Sequence, residues 1–224
     1  MGYSQNHNKI KIYLFPGQGS DNRLFSNLEL DRQFEMIPIQ YEVPDKRATI
    51  KEYAQVLVQK IDTTDKYILL GVSLGGMICT ELADVLNPDK ILIISSAKSR
   101  KELPGRYKFQ KYIPLNKIIP KKIIKFGALV LQPIVEPDRN QEKELFKQML
   151  SSKDPVYLKR SINMIVNWNR TSYSNKIIHI QGTNDHTIPI RNVIADYKIK
   201  KGSHMMILTQ GKELSNLINK ILLN

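Results

Sequence analysis

One cysteine, Cys79, stands in the whole chain, so the monomer can form no internal disulfide and cannot assemble a cysteine metal cluster. That usage fits a reducing compartment, and the expected location is the cytoplasm. Apolar residues make up 42% of the sequence, yet they never gather into the run of about 20 needed to span a bilayer. The opening MGYSQNHNKI lacks the apolar stretch of a secretory signal. Acidic residues are scarce, 21 against 34 basic ones, which leaves a net charge of +13. An excess of this size suits a polyanionic partner, but no zinc-finger spacing, RNA-binding aromatic motif or stacking platform accompanies it, so no nucleic-acid partner is expected.

The positive charge is unevenly spread. Between Lys98 and Lys125 only Glu102 opposes a dense series of lysines and arginines, interleaved with Tyr107, Ile113, Ile118 and Ile123. Two readings stand: a solvated basic face over ordinary core residues, or an amphipathic surface making peripheral contact with an anionic membrane.

What is present is an alternation of apolar strands and helices. KIKIYLF (Lys9 to Phe15), FEMIPIQY (Phe34 to Tyr41), KYILLGV (Lys66 to Val72), KILIISS (Lys90 to Ser96), KIIHIQG (Lys176 to Gly182) and a short piece near Asp196 to Lys200 read as strands. Pro38 places the second near a sheet edge. Helical spacing marks Ala48 to Ile61, Gly75 to Leu86 and Lys212 to Leu223. Strand and helix in alternation predict a mostly parallel central sheet flanked by helices. From Ala97 to about Tyr173 recurrent prolines break the pattern into helices at Lys121 to Leu131, Gln141 to Ser151 and Pro155 to Asn167. The expected organisation is a core formed by 1–96 and 174–224, with 97–173 as a helical cap inserted before the acid-bearing strand.

GVSLGG, Gly71 to Gly76, lies between a strand and a helix. A sharp turn there lifts the hydroxyl of Ser73 into the open and leaves the N–H of Leu74 at a helix start, where it can donate to a developing oxyanion. An acid and a base are needed from later loops. Asp185 in GTNDHTIP and His204 in KKGSHMMI each follow a strand, in the order Ser73, Asp185, His204. Among the four histidines, His7 lies in a polar tail, His179 alternates inside a strand, and His186 adjoins the acid too closely to face it. The loop FPGQGSD, with Gly17 and Gly19, can aim the backbone N–H of Gln18 above Ser73 as a second oxyanion donor.

FPGQGS, GVSLGG, GTNDHTIP and GSHMM in this order resemble the α/β-hydrolase family over nearly the whole chain. The resemblance implies the α/β-hydrolase fold and a covalent acyl-enzyme mechanism, usually esterase or thioesterase chemistry, with a helical cap after the strand ending at Ser96. Members often carry a histidine before the oxyanion glycine, where this chain has Pro16. The chain is also short for the family, which implies loss of the early antiparallel strands. FPGQGS with G-x-S-L-G is similar, too, to malonyl-CoA and acyl-carrier-protein acyltransferases, although here the two motifs lie closer together than in that family.

The expected activity is therefore a serine hydrolase cleaving a carboxylic ester, without metal or cofactor. The alternatives are an acyl-CoA or acyl-carrier thioesterase, an acyltransferase, and a non-catalytic binding protein that keeps the fold. The expected partner is a small-molecule acyl ester or thioester. Tyr112, Phe126, Met164 and Trp168 of the cap, with Met205 beside His204, are the candidate pocket residues, set against the plainer reading that they simply pack.

Overall fold

The computed structural model describes residues 9–110 and 142–224. The elements are β1 (Ile10–Phe15), β2 (Phe34–Pro38), α1 (Ile50–Leu57), β3 (Tyr67–Val72), α2 (Leu74–Leu82), β4 (Lys90–Ile94), α3 (Gly105–Gln110), α4 (Lys143–Ser152), α5 (Pro155–Asn167), β5 (Ile177–Gly182), β6 (Tyr197–Ile199), α6 (Met206–Thr209) and α7 (Gly211–Leu223). The strands form one six-stranded sheet in the order β2-β1-β3-β4-β5-β6, and every pairing is parallel.

Burial on both faces explains why the central strands are continuous apolar runs. Tyr13, Phe15, Tyr67, Leu69, Ile91, Ile93 and Ile177 point to one side, where α1 and α2 cover them. Ile12, Leu14, Ile68, Leu70, Leu92, Ile94 and Ile180 point to the other, under α6, α7 and the turn Asn22–Phe25. β2 is an outer strand and Pro38 closes it, where a missing N–H removes no central ladder bond.

Several boundaries differ from the sequence expectation for identifiable reasons. Thr49 and Glu52 form a reciprocal capping box, so α1 begins at Ile50 rather than Ala48. α2 ends at Leu82 because the next turn tightens, with Asp84 and Val85 donating to the carbonyls of Glu81 and Leu82. β4 stops at Ile94 because Ser95 adopts a left-handed φ of 48°. The short helix α6 was not expected.

Between β4 and β5 the described residues form α3, α4 and α5. The expected helix Lys121 to Leu131 and the basic run from Lys111 onward lie outside the described residues, as do Tyr112 and Phe126. The first cations of that run bind main chain: Lys98 Nζ donates to the Ile194 carbonyl at 2.7 Å and lies over the Tyr173 ring, and Arg100 donates to the carbonyls of Val166 and Trp168. Arg106 donates to the carbonyls of His186 and Thr187. Among the described residues no helix is long and apolar enough to cross a membrane.

Candidate active site

The site stands at the carboxyl ends of the strands, where a parallel sheet leaves its loops free to converge. β3 runs into α2 through Ser73, whose φ of 53° and ψ of −117° lie outside the regions an L-residue ordinarily adopts. Such a conformation costs on the order of 1–3 kcal/mol and is sustained by what surrounds it. The first turn of α2 presses on the end of β1: a β-carbon at Gly75 would lie 2.0 Å from the Phe15 carbonyl oxygen, so only glycine fits there. This contact brings the loop after β1 beside the turn, and a β-carbon at Gly17 would sit 3.3 Å from Ser73 Cβ.

His204 reaches Ser73 from the loop after β6, with Nε2 3.0 Å from Ser73 Oγ. Its Nδ1 lies 2.9 Å from Asp185 Oδ2, carried by the loop after β5. Because a carboxylate only accepts, Nδ1 carries the proton and Nε2 is left to accept from the serine hydroxyl. The two loops are tied by the Asn184 N–H, which donates to the Gly202 carbonyl at 2.9 Å. The Asp185 side chain is fully buried while His204 keeps 13% of its surface exposed, so the acid is sealed and the base is reachable.

Asp185 is held from four directions. Oδ1 accepts the backbone N–H groups of Thr187 at 2.8 Å and Ile188 at 2.7 Å; Oδ2 accepts Gln181 Nε2 at 2.8 Å in addition to His204. Gln181 also donates to the Ile188 carbonyl and accepts from His179 Nε2 at 3.0 Å, which sets the His179 tautomer with its proton on Nε2. Burial holds His179 down to about 4, so it stays neutral around pH 7. Sequence reasoning missed Gln181; the signal available was a second polar side chain, two residues after His179 on the same face of an apolar strand and four residues before the acid.

The other histidine behaves differently. His186 is exposed, and its Nε2 lies 3.1 Å from Asn184 Oδ1. Cys79, the one thiol, is completely buried in α2, and burial pushes it well above its usual range, which removes it as a rival nucleophile.

Leu74 begins α2, so its N–H has no acceptor within the helix and is available at the turn. The Gln18 side chain is turned into α5, donating to Ser161 Oγ at 2.9 Å and to the Leu158 carbonyl at 3.2 Å. This pins the loop that carries the Gln18 backbone N–H to the segment between β4 and β5. Of the candidate pocket residues, Met164 and Trp168 are buried in the cluster over α2, and the Trp168 indole donates to Glu81 Oε1 at 2.6 Å. Met205 is half-buried next to His204 and packs against the opposite cluster.

No protein-family model matches the chain, and no curated protein matches it by sequence. Solved structures do match its architecture. An esterase from Thermogutta terrifontis with malate bound superposes with a TM-score of 0.75 at 16% identity, covering 96% of this chain and 90% of that one. The enol-lactonase from Burkholderia xenovorans LB400 gives 0.77 at 13% identity, covering 100% and 94%. ClbQ from the colibactin NRPS/PKS pathway gives 0.65 at 14% identity, covering 96% of each chain. At such identities the likeness is one of architecture, and with the all-parallel sheet and its inserted helices it identifies the α/β-hydrolase fold in this chain.

Proposed function

We propose that the chain is a serine hydrolase cleaving small carboxylic esters through an acyl-enzyme. The observation that carries this reading is the unbroken hydrogen-bond chain from Ser73 Oγ through His204 to Asp185. In the mechanism, His204 Nε2 takes the Ser73 proton as Oγ attacks the ester carbonyl, and Asp185 stabilises the imidazolium. The backbone N–H groups of Leu74 and Gln18 receive the oxyanion. His204 then protonates the leaving alkoxide, and water, activated by the same base, releases the acid and restores Ser73.

The segment 97–173 serves as the cap to a core of 1–96 and 174–224. Of the candidate pocket residues only half-buried Met205, beside His204, is offered for the acyl group, because Met164 and Trp168 pack into the cluster over α2, with Trp168 bonded to Glu81 at the end of that helix away from Ser73. Esters are favoured over carrier thioesters because, among the described residues of the basic run, Lys98, Arg100 and Arg106 direct their charges onto backbone carbonyls. The names esterase and enol-lactonase borne by similar structures point the same way. The test is a panel of p-nitrophenyl esters and acyl-CoA thioesters of matched chain length, compared by kcat/KM at low and moderate salt. Esters are expected to lead at every chain length. A thioester advantage of about tenfold that shrinks with salt would instead assign a thioesterase steered by charge.

A further inference from the structure

A residue in a sparsely populated conformation needs holding on both sides, and the end of β4 holds Ser73 on both. The Ser73 N–H donates to the Ile94 carbonyl at 3.0 Å, and the Ser73 carbonyl accepts from Ser96 Oγ at 2.7 Å. The same carbonyl accepts the Met77 N–H at 3.1 Å, the first helical bond of α2. Ser96 is fully buried and follows Ser95, whose φ of 48° breaks the strand direction just before it.

The last glycine of GVSLGG, Gly76, has no task in the nucleophile, acid and base scheme. A β-carbon at Gly76 would lie 2.4 Å from Ser96 Oγ and 2.6 Å from Ser96 Cβ, so this glycine is the space in which Ser96 sits. The turn, the glycine and the serine form one device.

The Ser73 carbonyl and the Leu74 N–H belong to a single planar trans peptide and point in opposite directions. Fixing the carbonyl therefore fixes the N–H, and a donor on the oxygen polarises the whole amide toward a stronger N–H donor. We propose that Ser96 is a positioning residue for the oxyanion site: its hydroxyl holds and polarises the Ser73–Leu74 peptide so that the Leu74 N–H faces the developing negative charge. This inference rests on the reading of Ser73 as nucleophile and Leu74 as oxyanion donor.

The test uses the full chain with Ser96→Ala, Ser96→Cys and, in parallel, Ser73→Ala. Melting temperature, kcat and KM for p-nitrophenyl butyrate, and the inhibition constant of butylboronic acid, whose serine adduct places an oxygen in the oxyanion position, are measured for each. Ser96→Ala is expected to lower kcat by about tenfold with KM within about twofold, and to weaken the boronate in the same proportion. Ser96→Cys, a weaker donor of similar shape, falls between. A folded Ser96→Ala protein that keeps kcat and boronate affinity within about twofold, whatever its melting temperature, reduces Ser96 to packing and overturns the proposal. If Ser96→Ala does not fold, the same criterion applies to Ser96→Cys. Loss of turnover in Ser73→Ala beside an unaffected Ser96→Ala sinks only this inference, whereas turnover surviving in Ser73→Ala sinks the nucleophile reading beneath it.

Discussion

The loops at the carboxyl ends of the strands and the segment between β4 and β5 lie against each other but are held in different ways. The loops are held largely by main chain, with two buried side chains, Ser96 and Gln181, beside it: Ser73 by the Ile94 carbonyl, Asp185 by the N–H groups of Thr187 and Ile188, and the Asp185 loop by the Gly202 carbonyl. The inserted segment is moored by long side chains crossing to distant partners. Arg160 donates to the Pro44 carbonyl, Arg170 bridges Glu81 and Asp84, and Trp168 donates to Glu81. Backbone bonds leave few rotamers to sample, whereas long side chains retain more freedom. For the proposed hydrolase the comparison teaches a division of labour, in which the loops would set the geometry of the chemical step and the inserted segment would set access and affinity.

The largest effect should separate two histidines of the loops. His204→Ala is expected to lower kcat by about a thousandfold or more, because the serine loses its base, while His186→Ala keeps kcat and changes mainly affinity. Kinetics on the purified pair checks this. Equal collapse of both would remove the distinction on which the loop assignment rests.

Next comes the support beneath the acid. His179 has a folded-state value of about 4 against 6.5 unfolded, caused first by burial, then by the Gln181 hydrogen bond, which raises it, and by the Lys98 charge, which lowers it; Asp196 and Asp185 raise it further. A depressed histidine gives the unfolded chain the greater proton uptake between those values. Its contribution is complete above pH 6.5 and is lost as pH falls toward 4, by roughly 3 kcal/mol in all. Urea titrations between pH 7 and 4 should show this slope, and His179→Gln should flatten it. An unchanged slope in the variant would place the acid sensitivity elsewhere.

Gln181→Ala removes one of the donors to Asp185 without touching Ser73 or His204. A kcat lower by about tenfold with KM unchanged is expected, since the imidazole loses orientation rather than substrate. A change in KM alone would move Gln181 out of the chemical machinery.

The smallest effect should come from the moorings of the inserted segment. Arg106, exposed and donating to the carbonyls of His186 and Thr187, ties α3 to the acid loop. Arg106→Ala is expected to raise KM by about two- to fivefold at constant kcat. A larger loss in kcat than in KM would show that the segment shapes the chemistry after all.

The same contrast governs what could be read from residues alone. Buried parallel strands announce themselves as apolar runs, and glycines beside Ser73 and before Asp185 and His204 mark the turns that follow them, so the sheet and the placement of these three residues at strand ends were legible. Gln181 was not, because a polar residue inside KIIHIQG looks like ordinary alternation. Ser96 was hidden for a related reason: in KILIISS it reads as the tail of a strand, and only the left-handed Ser95 reveals a turn. The capping box at Thr49 and Glu52, by contrast, is written in the sequence as T-x-x-E and marks the start of α1. The moorings of the inserted segment join residues far apart along the chain, such as Arg160 with the Pro44 carbonyl and Arg170 with Glu81, and no local periodicity encodes a side chain meeting so distant a partner.

The central claim is that Ser73 is an activated nucleophile, and covalent labelling tests it most directly. A fluorophosphonate probe incubated with the full chain, followed by intact-mass and peptide-mass analysis, should place one adduct on the peptide containing Ser73. Ser73→Ala should abolish the adduct and His204→Ala should slow its formation by at least about a hundredfold. An adduct on another residue, or a folded protein that takes up no probe, would contradict the account.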